Sequence, residues 1–538
     1  MTRSYKQELA QMPGSAIPVV DIFAGPGGLG EGFSSVADAA GNQVFDVRLS
    51  IEKEAVAHRT LTLRAMFRRF PRGRVPDAYY DFVRGNIGRE ELFAAHAPEI
   101  EQARTEARHA TLGETPEARI DSWIRDAIGT TGIWVLIGGP PCQAYSMAGR
   151  SRRRPVDAKA FEQDERHLLY REYLRIIEKF RPPAFVMENV KGILSSTHDG
   201  SGIFERILGD LSRPAPDLEY EIRSFAAPSD GQQLEPAQYV LEAERYGVPQ
   251  TRHRVILLGV RRDLAATPHQ PLQFRLPVSV KEAIGSLPRI RSRLSREADS
   301  TEEWLRALRE STRYLTGCPR DIRESVAAEM AVALERALDV SRTGGRFIQR
   351  ANLSFQGMPA TLVSWLKDDR LEGVCQHETR AHMRSDLNRY LFVSCFAQAF
   401  GHSPKLRHFP RALLPDHDNV TADTVPFLDR FRVQTGSLPS TTVVSHIAKD
   451  GHYYIHPDPA QCRSLTVREA ARLQTFPDNY FFEGNRTEQY VQVGNAVPPL
   501  LARQLGAVVF DLLHTAANVR ADQQERRALR EMVQMELV

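Results

Sequence analysis

Cysteine is scarce in this chain, and its five cysteines form no CxxC pair. They stand at Cys142, Cys318, Cys375, Cys395 and Cys462. An odd number without paired spacing argues against a disulfide framework and against a structural zinc cluster. Two cysteines and two histidines between residues 375 and 395 match no standard zinc spacing, so we expect no metal. The sequence predicts a protein of a reducing compartment, the cytoplasm.

Long apolar segments and strong net charge are also missing. We find no run of eighteen apolar residues, and residues 1–21 lack the apolar region of a signal peptide, so we expect neither export nor a membrane span. A net charge of +3 neither demands nor excludes a nucleic-acid partner. With 42% hydrophobic and 25% charged residues in 538, the composition indicates a folded protein of two or more domains.

Short apolar segments alternate with helical patterns through the first half of the chain. Residues 168–180 carry apolar side chains at helical spacing. This alternation predicts the α/β class, with a mostly parallel, doubly wound sheet. The predicted strands lie at the start of 17–33 and within 42–52, 133–139, 183–190 and 254–260.

The second half of the chain is less regular. We expect a catalytic domain over 1–262, with an insertion at about 88–130, and a second domain of mixed structure over 263–445. Residues 446–538 would complete the catalytic domain and end in a charged surface helix. Within them, Thr466 and Glu469 form a capping-box pattern at a helix start.

A glycine-rich turn follows the first predicted strand, in "DIFAGPGGLGEGF". Gly25 and Gly27, with Gly30, fit the dinucleotide fingerprint, and together with Gly28 they would let a ligand approach the backbone closely. Such turns also serve packing alone. Glu52 ends the second predicted strand, where it could bind ribose hydroxyls or be a solvated strand end, and spacing does not decide between these.

A thiol and a carboxylate follow two further strands. Cys142 comes after an apolar strand and a Gly-Gly-Pro-Pro turn, whose prolines restrict the backbone. Glu188 and Asn189 stand where the next strand should emerge. Ligands bind at the carboxyl edge of open α/β sheets, so the cysteine is a candidate nucleophile and Glu188 a candidate acid. Alone, Glu188 could simply cap a helix.

Two arginines alternate at the start of the last predicted strand, in "YGVPQTRHRVILLG". Because side chains alternate along a strand, Arg252 and Arg254 could face the same side. The alternative is a pair of exposed surface arginines. Their place before a buried strand at the same sheet edge favours a role at the site.

Taken together, these segments resemble DNA cytosine-5 methyltransferases. The matching motifs occur in the family's order and lie within residues 18–262 and 463–506. They read "DIFAGPGG", "GPPCQAYSMAGR", "MENV", "QTRHR", "SLTVREAARLQTFPD" and "VGNAVPP". The resemblance implies a Rossmann-like sheet that binds S-adenosyl-L-methionine, with S-adenosyl-L-homocysteine as product, and a target-recognition domain over 263–445.

The resemblance also implies cofactor contacts. Phe23 would stack on the adenine, the turn backbone would hold the methionine part, and Glu52 would bind the ribose. Asn86 and Ile87 of "GNI" stand where the family usually has Gly-Asp-Ile, so Asn86 would accept the adenine amino group through its carbonyl oxygen. The remaining expected contacts are Gly25, Gly27, Gly28, Leu29, Pro140, Leu169, Asn495 and Val497.

The implied chemistry is covalent. Cys142 would add to C6 of cytosine, and Glu188, with Asn189 beside it, would act at N3. Arg254 would hold the base through O2, while Arg252 would hold a backbone phosphate or the catalytic loop.

The target base lies inside a duplex, so it must be flipped out, and residues 143–166 suit a loop that closes over it. We expect double-stranded DNA as the partner of a monomeric enzyme. The expected DNA contacts are Gln143, Ser146, Arg150, Arg152, Arg153, Gln250, Arg380 and Arg384.

Other functions are less consistent with these residues. A transfer-RNA methyltransferase of this scaffold would carry Cys-Phe-Thr, and an amino-methylating enzyme would carry Asn-Pro-Pro-Tyr or a relative of it. A catalytically silent DNA-binding protein would not need the catalytic side chains. The motifs begin near residue 18, which favours a stand-alone bacterial or archaeal enzyme of restriction-modification or phage defence, with a solitary methylase as the alternative.

Overall fold

A computed structural model describes residues 16–141, 165–195, 197–198, 201–228, 234–349, 354–414 and 431–536. A mixed eight-stranded sheet lies at its centre, in the order β3-β2-β1-β4-β5-β11-β8, with β9 paired to β11. Strands β3, β2, β1, β4 and β5 run parallel, whereas β11 is antiparallel to its neighbours. The predicted Rossmann-like α/β class is confirmed.

The strands within the described residues, in chain order, are β1 Ile17–Ile22, β2 Phe45–Glu52, β3 Ala107–His109, β4 Val135–Gly138, β5 Ala184–Val190, β6 Thr197–His198, β7 Ser201–Gly202, β8 Tyr220–Ser224, β9 Val240–Glu242, β10 Gln250–Thr251, β11 His253–Arg261, β12 Arg293–Leu294, β13 Gly344–Gln349, β14 Gly373–Glu378, β15 Ala381–His382 and β16 Ser440–Thr441.

The helices of the same residues are α1 Gly28–Ser34, α2 Ala55–Arg68, α3 Asp77–Arg84, α4 Arg89–Ala95, α5 Ala97–Glu106, α6 Glu117–Ile128, α7 Glu165–Phe180, α8 Ile203–Ser212, α9 Val280–Ile284, α10 Thr301–Glu310, α11 Arg320–Ala337, α12 Ala360–Leu366, α13 Arg384–Phe400, α14 Val467–Leu473, α15 Arg486–Asn495 and α16 Pro499–Glu536.

The central strands are buried on both faces. All six residues of β1 are buried. Val19 joins the core on one face of the sheet, whereas Val20 and Ile22 join the core on the other. Since successive side chains of a strand point to opposite faces, a continuous apolar run such as this one suits a sheet covered by helices on both sides.

The segment 88–130 is not the simple insertion expected from the sequence. It supplies β3, which pairs with the end of β2. It also supplies α6, whose Ile120 and Ile124 pack in the core with Val20. The segment is therefore part of the Rossmann-like sheet and its helical layer.

The second domain has its own core, but its boundaries differ from the expected 263–445. Helices α10, α11 and α13 enclose Trp304, Met330 and Tyr390, and Cys462 belongs to the same core. In contrast, parts of 263–445, among them α9 and residues near 443, pack with α14 and α15 on the catalytic side. The chain crosses between the two cores more than once, which a single linear boundary does not describe.

One stretch of the described chain, Arg486–Val519, is long and apolar enough to cross a membrane. Of its 18-residue window, 67% is buried inside the protein. It comprises α15 and the first part of α16. A methyl group placed on Gly32 of α1 would come 2.3 Å from the Cβ atom of Ala502, so α1 and α16 are in close contact. This burial is typical of a core helix.

Candidate active site

The carboxyl ends of β2, β1, β4 and β5 meet at one edge of the sheet. Each is followed at once by residues that the motifs singled out. Ile22 pairs with Gly138, and Gly138 pairs with Met187, so the turn after β1 and the turn after β4 emerge beside the end of β5. The topology alone brings these segments together.

The glycine turn after β1 is held by Glu52 at the end of β2. The Gly25 amide donates to Oε2 of Glu52 at 2.7 Å, and the Glu54 amide donates to Oε1 at 2.7 Å. Burial nevertheless raises the pKa of the Glu52 carboxyl. Phe23 and Gly25 both have φ near +59°, and Gly27 has φ +94°. The turn thus uses left-handed backbone, which favours glycine at two of these positions.

The space in front of Gly25 is open. A methyl group placed on this residue would meet no other atom within 4 Å. On Gly28, in contrast, it would come 2.3 Å from the carbonyl oxygen of Val497, so the segment before α16 packs directly against the turn. Val497 is buried, whereas Asn495 is exposed. The turn thus lies between the Glu52 carboxylate and the Val497 segment, and we call the open space at Gly25 the recess.

This recess fits a nucleoside that carries positive charge. Glu52 offers carboxylate oxygens that can accept from ribose hydroxyls. Beneath the turn, Asp21 is fully buried, and neither of its carboxyl oxygens reaches a hydrogen-bond donor in good geometry among the described residues. Burial raises the pKa of Asp21 to about 8. The sequence reading missed Asp21, although its place in "VVDIF" was a visible signal.

Asn86 and Ile87 do not lie at this edge, which corrects the sequence expectation. Asn86 follows α3, is exposed, and donates through Nδ2 to Oδ1 of Asp81 at 2.9 Å. The strand beside β2 is β3, and its end brings the Ala110 amide to the carbonyl of Glu52 at 3.1 Å. The three residues of β3 are too few to produce a period-2 pattern in the sequence.

The other three expected cofactor contacts in the described chain are Leu169, Pro140 and Leu29. Leu169 on α7 is half-buried and packs on the face of the sheet that holds Val20 and Ile22. Pro140 is buried in the turn after β4. Leu29 is buried in α1, one residue beyond Gly28.

Glu188 and Arg254 form an ion pair at the sheet edge. Nε of Arg254 lies 2.9 Å from Oε1 of Glu188, with about 16% and 15% of the two side chains exposed. Arg254 Nη1 also donates to the His253 carbonyl at 2.9 Å. A methyl group placed on Gly139 would come 3.0 Å from Oε2 of Glu188. The carboxylate therefore lies against the backbone that leads into Cys142, which is itself outside the described residues.

Asn189 holds the turn after β4. Its Nδ2 donates to the Pro140 carbonyl at 3.2 Å, and its Oδ1 accepts from the Val190 amide at 2.8 Å. The side chain is 4% exposed. Asn189 thus fixes the two-proline turn against β5. It is therefore a positioning residue for the segment that begins at Cys142.

Arg252 is buried within the protein, so the expected phosphate contact is wrong, whereas the alternative contact with the catalytic loop falls on residues outside the described part of the chain. Its Nη1 donates to the carbonyls of Val443 at 2.9 Å and Gly494 at 3.3 Å, and the residue is 3% exposed. Burial and the neighbouring Arg254 lower the pKa of its guanidinium. Because the buried guanidinium donates to two backbone carbonyls, Arg252 stabilises the fold of the protein.

Gln250 is likewise buried and was wrongly expected to contact DNA. Its Nε2 donates to Oε1 of Gln474 at 3.0 Å, and its Oε1 accepts from the Val443 amide at 2.7 Å. Gln474 in turn donates to the carbonyls of Val493 at 2.7 Å and Ala496 at 3.3 Å. We call Gln250, Arg252 and Gln474 the amide bracket, because they tie the start of β11 to the segment that flanks Asn495.

Comparison with known proteins agrees with this geometry. The sequence profile of the C-5 cytosine-specific DNA methylase family matches residues 95–511. The chain belongs to this family. It is 30% identical over 517 residues to the type II methyltransferase M.Bpa9945I of Bacillus paralicheniformis, covering 92% of this chain and 99% of that protein.

Two further relatives are the type II methyltransferase M.AgeI of Thalassovita gelatinovora and the DNA (cytosine-5-)-methyltransferase M.ApeKI of Aeropyrum pernix. The first is 28% identical and covers 72% of this chain and 85% of the relative. The second is 26% identical, and the alignment covers 77% of this chain and 88% of the relative. This C-5 cytosine methylase is therefore an enzyme that methylates cytosine in DNA, and the predicted family is confirmed.

Two other expected DNA contacts of the methylase serve its fold. Arg380 donates to the carbonyls of Ile447 and Ala448 and lies 4.2 Å from the centre of the Tyr490 ring. Arg384 pairs with Glu297 at 2.7 Å and Glu303 at 2.6 Å, which raises its pKa.

Both guanidinium groups are thus satisfied within the protein. The remaining expected DNA contacts of the methylase lie outside the described residues: Gln143, Ser146, Arg150, Arg152 and Arg153.

Proposed function

We propose that this methylase transfers a methyl group to carbon 5 of cytosine within one double-stranded DNA sequence, through a covalent adduct with Cys142. One observation carries the proposal: the Glu188–Arg254 pair lies against the Gly139 turn that leads to the cysteine. A carboxyl acid, a guanidinium donor and a thiol at one sheet edge are the groups that addition to a pyrimidine ring requires.

The chemistry of the base is carried by three side chains. The Cys142 thiolate forms a bond to C6, and the displaced electron pair moves toward N3, where Glu188 delivers a proton. Arg254 donates to O2 and stabilises the charge that develops there. C5, now enamine-like, forms the bond to the methyl group. A base or water then takes the C5 proton, the C6–S bond breaks to release the Cys142 thiolate, and the N3 proton returns to Glu188.

S-adenosyl-L-methionine would supply the methyl group when bound, and S-adenosyl-L-homocysteine would leave. The recess at the glycine turn suits it: Phe23 would stack on the adenine, Glu52 would accept from the ribose hydroxyls, and the backbone from Gly25 to Leu29 would hold the methionine part. Asn495 and Val497 would close the side opposite Glu52. Pro140 and Leu169 complete the expected lining.

The target cytosine would be flipped out of the duplex, since C6 is inaccessible within stacked bases. Residues 143–166 would close over it. We infer a monomer that acts on DNA in the cytoplasm. The names of its relatives as type II methyltransferases support a role in host-DNA protection within restriction-modification or phage defence, with a solitary methylase as the alternative.

Bisulfite sequencing of DNA from a methylation-free host that expresses the chain tests the activity. We expect protected cytosines at one recurrent sequence, and none in cells that express Cys142→Ala at the same level. Equal protection by the variant would contradict the covalent role of the cysteine. Complete absence of protection with the folded wild-type enzyme would contradict the proposed reaction.

A second experiment tests the adduct directly. A duplex with 5-fluorocytosine at the target cannot release the C5 substituent as a proton, so the adduct should accumulate. We expect a covalent protein–DNA species in denaturing gels for the wild type with S-adenosyl-L-methionine, and none for Cys142→Ala. An active enzyme that forms no such species would refute addition to C6.

A further inference from the structure

Three arginines meet on the flank of the catalytic domain where α1 and α16 pack together. They are Arg72, Arg275 and Arg503, and we call them the arginine flank. Within the described part of the chain, none of the three lies within 4.0 Å of a carboxylate oxygen. The charge of Arg72 also acts on the buried carboxylate of Glu31, but Glu31 is already paired with Arg64, so the arginine flank is a local cluster of positive charge.

Backbone contacts place the three residues together. The amide nitrogen of Arg503 would lie 2.5 Å from a methyl group on Gly32 in α1. Arg72 donates through Nη2 to the carbonyl of Ser35, at the end of the same helix, at 2.6 Å. Arg503 and Arg72 are therefore neighbours along one side of α1.

Arg275 approaches from a third segment. Gln504, the residue after Arg503, donates to the Tyr246 carbonyl at 3.0 Å. A methyl group on the adjacent Gly247 would come 3.4 Å from Cδ of Arg275. The charges of Arg72 and Arg275 act on Arg503: together with burial, they lower the pKa of its guanidinium.

Arg503 is held in place. Its guanidinium carbon lies 5.7 Å from the centre of the Trp365 ring. It also stands in the second turn of α16, near the positive end of that helix. Arg72 and Arg275, in contrast, are exposed. Like charges collected beside a helix N-terminus repel one another, and an anion with several oxygens relieves that repulsion.

We propose that the arginine flank binds backbone phosphates of duplex DNA that lies outside the recognition sequence. The enzyme's substrate is a polyanion, and the flank begins near the recess: Gly28 starts α1, and Val497 lies two residues before the start of α16. Arg503 is four residues into α16, about 6 Å along its axis. Each DNA strand carries a phosphate about every 3.4 Å, so a duplex that leaves the active site offers phosphates to this surface.

The test uses the full chain and fluorescence anisotropy with a non-specific duplex of about 60 base pairs. The variants are Arg72→Gln, Arg275→Gln, Arg503→Gln and their combination. The matched control is Arg104→Gln, an exposed arginine whose charge is already paired with Glu101 at 3.7 Å. Near-ultraviolet circular dichroism confirms that each variant is folded.

On this duplex, each substitution should reduce the slope of log Kd against log salt by about 0.9, and the triple variant should bind at least about tenfold more weakly at 0.1 M salt. The control should show no change. An unchanged slope for the triple variant would overturn the proposal and leave a protein partner for the exposed Phe274 and Leu276 beside the flank.

Free phosphate is the other source of the same chemistry. If inorganic phosphate at constant ionic strength raises the Tm of the wild type but not of the triple variant, and the salt dependence of DNA binding is the same for both proteins, the flank is a small-anion site and the DNA assignment is wrong. The kcat for methylation at saturating DNA should stay unchanged in all flank variants, so failure of this proposal is distinguishable from failure of the proposed function.

Discussion

Nε of Arg254 lies 2.9 Å from Oε1 of Glu188, across the antiparallel pair of β11 and β5. The arginine therefore holds the carboxyl group where a flipped base would enter. An amide at position 188 keeps the size of the side chain but cannot deliver a proton. We expect Glu188→Gln to lower kcat by about 10²- to 10⁴-fold. Transfer of a radiolabelled methyl group under single-turnover conditions measures this loss.

The same variant separates chemistry from cofactor binding. Calorimetric titration with S-adenosyl-L-homocysteine should give an affinity within about twofold of the wild type, because β1 and β4 separate β5, which carries Glu188, from β2, which carries Glu52. Glu219→Gln, at an exposed ion pair with Arg213, is the control and should retain kcat. A variant at position 188 with full turnover would refute the role at N3.

Gly25 offers a test of the recess. Alanine there would meet no protein atom within 4 Å, so its methyl group would project into the space we assign to the cofactor. We expect Gly25→Ala to weaken S-adenosyl-L-methionine binding at least about tenfold, with about 1–2 kcal/mol of lost stability from its positive φ. Gly401→Ala has the same backbone strain and open surroundings far from the recess, so it should lose stability but not cofactor affinity. Equal cofactor affinities in the two variants would place the ligand elsewhere.

Gln474 should act through the segment around Asn495. Gln474→Leu removes the side-chain donor to the Val493 and Ala496 carbonyls, of which Val493 keeps only its bond from the Ala496 amide, and this weakens the wall against Gly28. We expect KM for S-adenosyl-L-methionine to rise several-fold, with a smaller change in kcat.

Gln461→Leu is the matched control for this prediction, since Gln461 is also buried and binds a backbone amide, that of Ile290. It should lose comparable stability without a change in KM. If both variants shift KM alike, the amide bracket has no specific link to the cofactor.

Asp21 should make stability depend on pH. Its pKa of about 8 in the folded protein exceeds the 3.8 of an ordinary aspartate, so the folded state binds more protons than the unfolded state between these values. The free energy of unfolding should therefore fall as the pH rises from about 4 to about 8. Asp21→Asn removes this titration, and the curve of the variant should be flatter. Urea unfolding at several pH values measures this free energy for the wild type and for Asp21→Asn. Parallel curves of the free energy of unfolding against pH for the two proteins would contradict the raised pKa of Asp21.

The sequence was sufficient to predict those parts of the fold that depend on a local pattern of residues. The apolar run before Gly25 predicted a buried strand, and the Thr466–Glu469 box was correct, with the Glu469 amide donating to Oγ1 of Thr466 at 3.2 Å. The ends of β1, β4 and β5 followed from the topology of parallel sheets. Three-residue β3 gave no pattern, so Asn86 was assigned to an edge that the end of β3 occupies.

Partners distant in sequence could not be predicted from residue type. Gln250 and Arg380 are polar residues close to the family motifs. Residues that contact DNA have the same features, so residue type does not separate the two groups. Their actual partners are a buried amide and two carbonyls, 224 and about 68 residues away. The domain boundary failed for the same reason, because segments such as α9 return to the catalytic core from within the expected second domain. Only tertiary contacts distinguish these cases.

The hydroxyl of Tyr480 donates to the carbonyl of Pro26, between residues that are 454 positions apart in the chain. Together with the contact of Gly28 and Val497, this bond closes the cofactor turn with late parts of the polypeptide. On the ribosome, the turn after β1 emerges long before its wall has been synthesised. A nascent chain therefore lacks a complete recess until Val497 has left the exit tunnel.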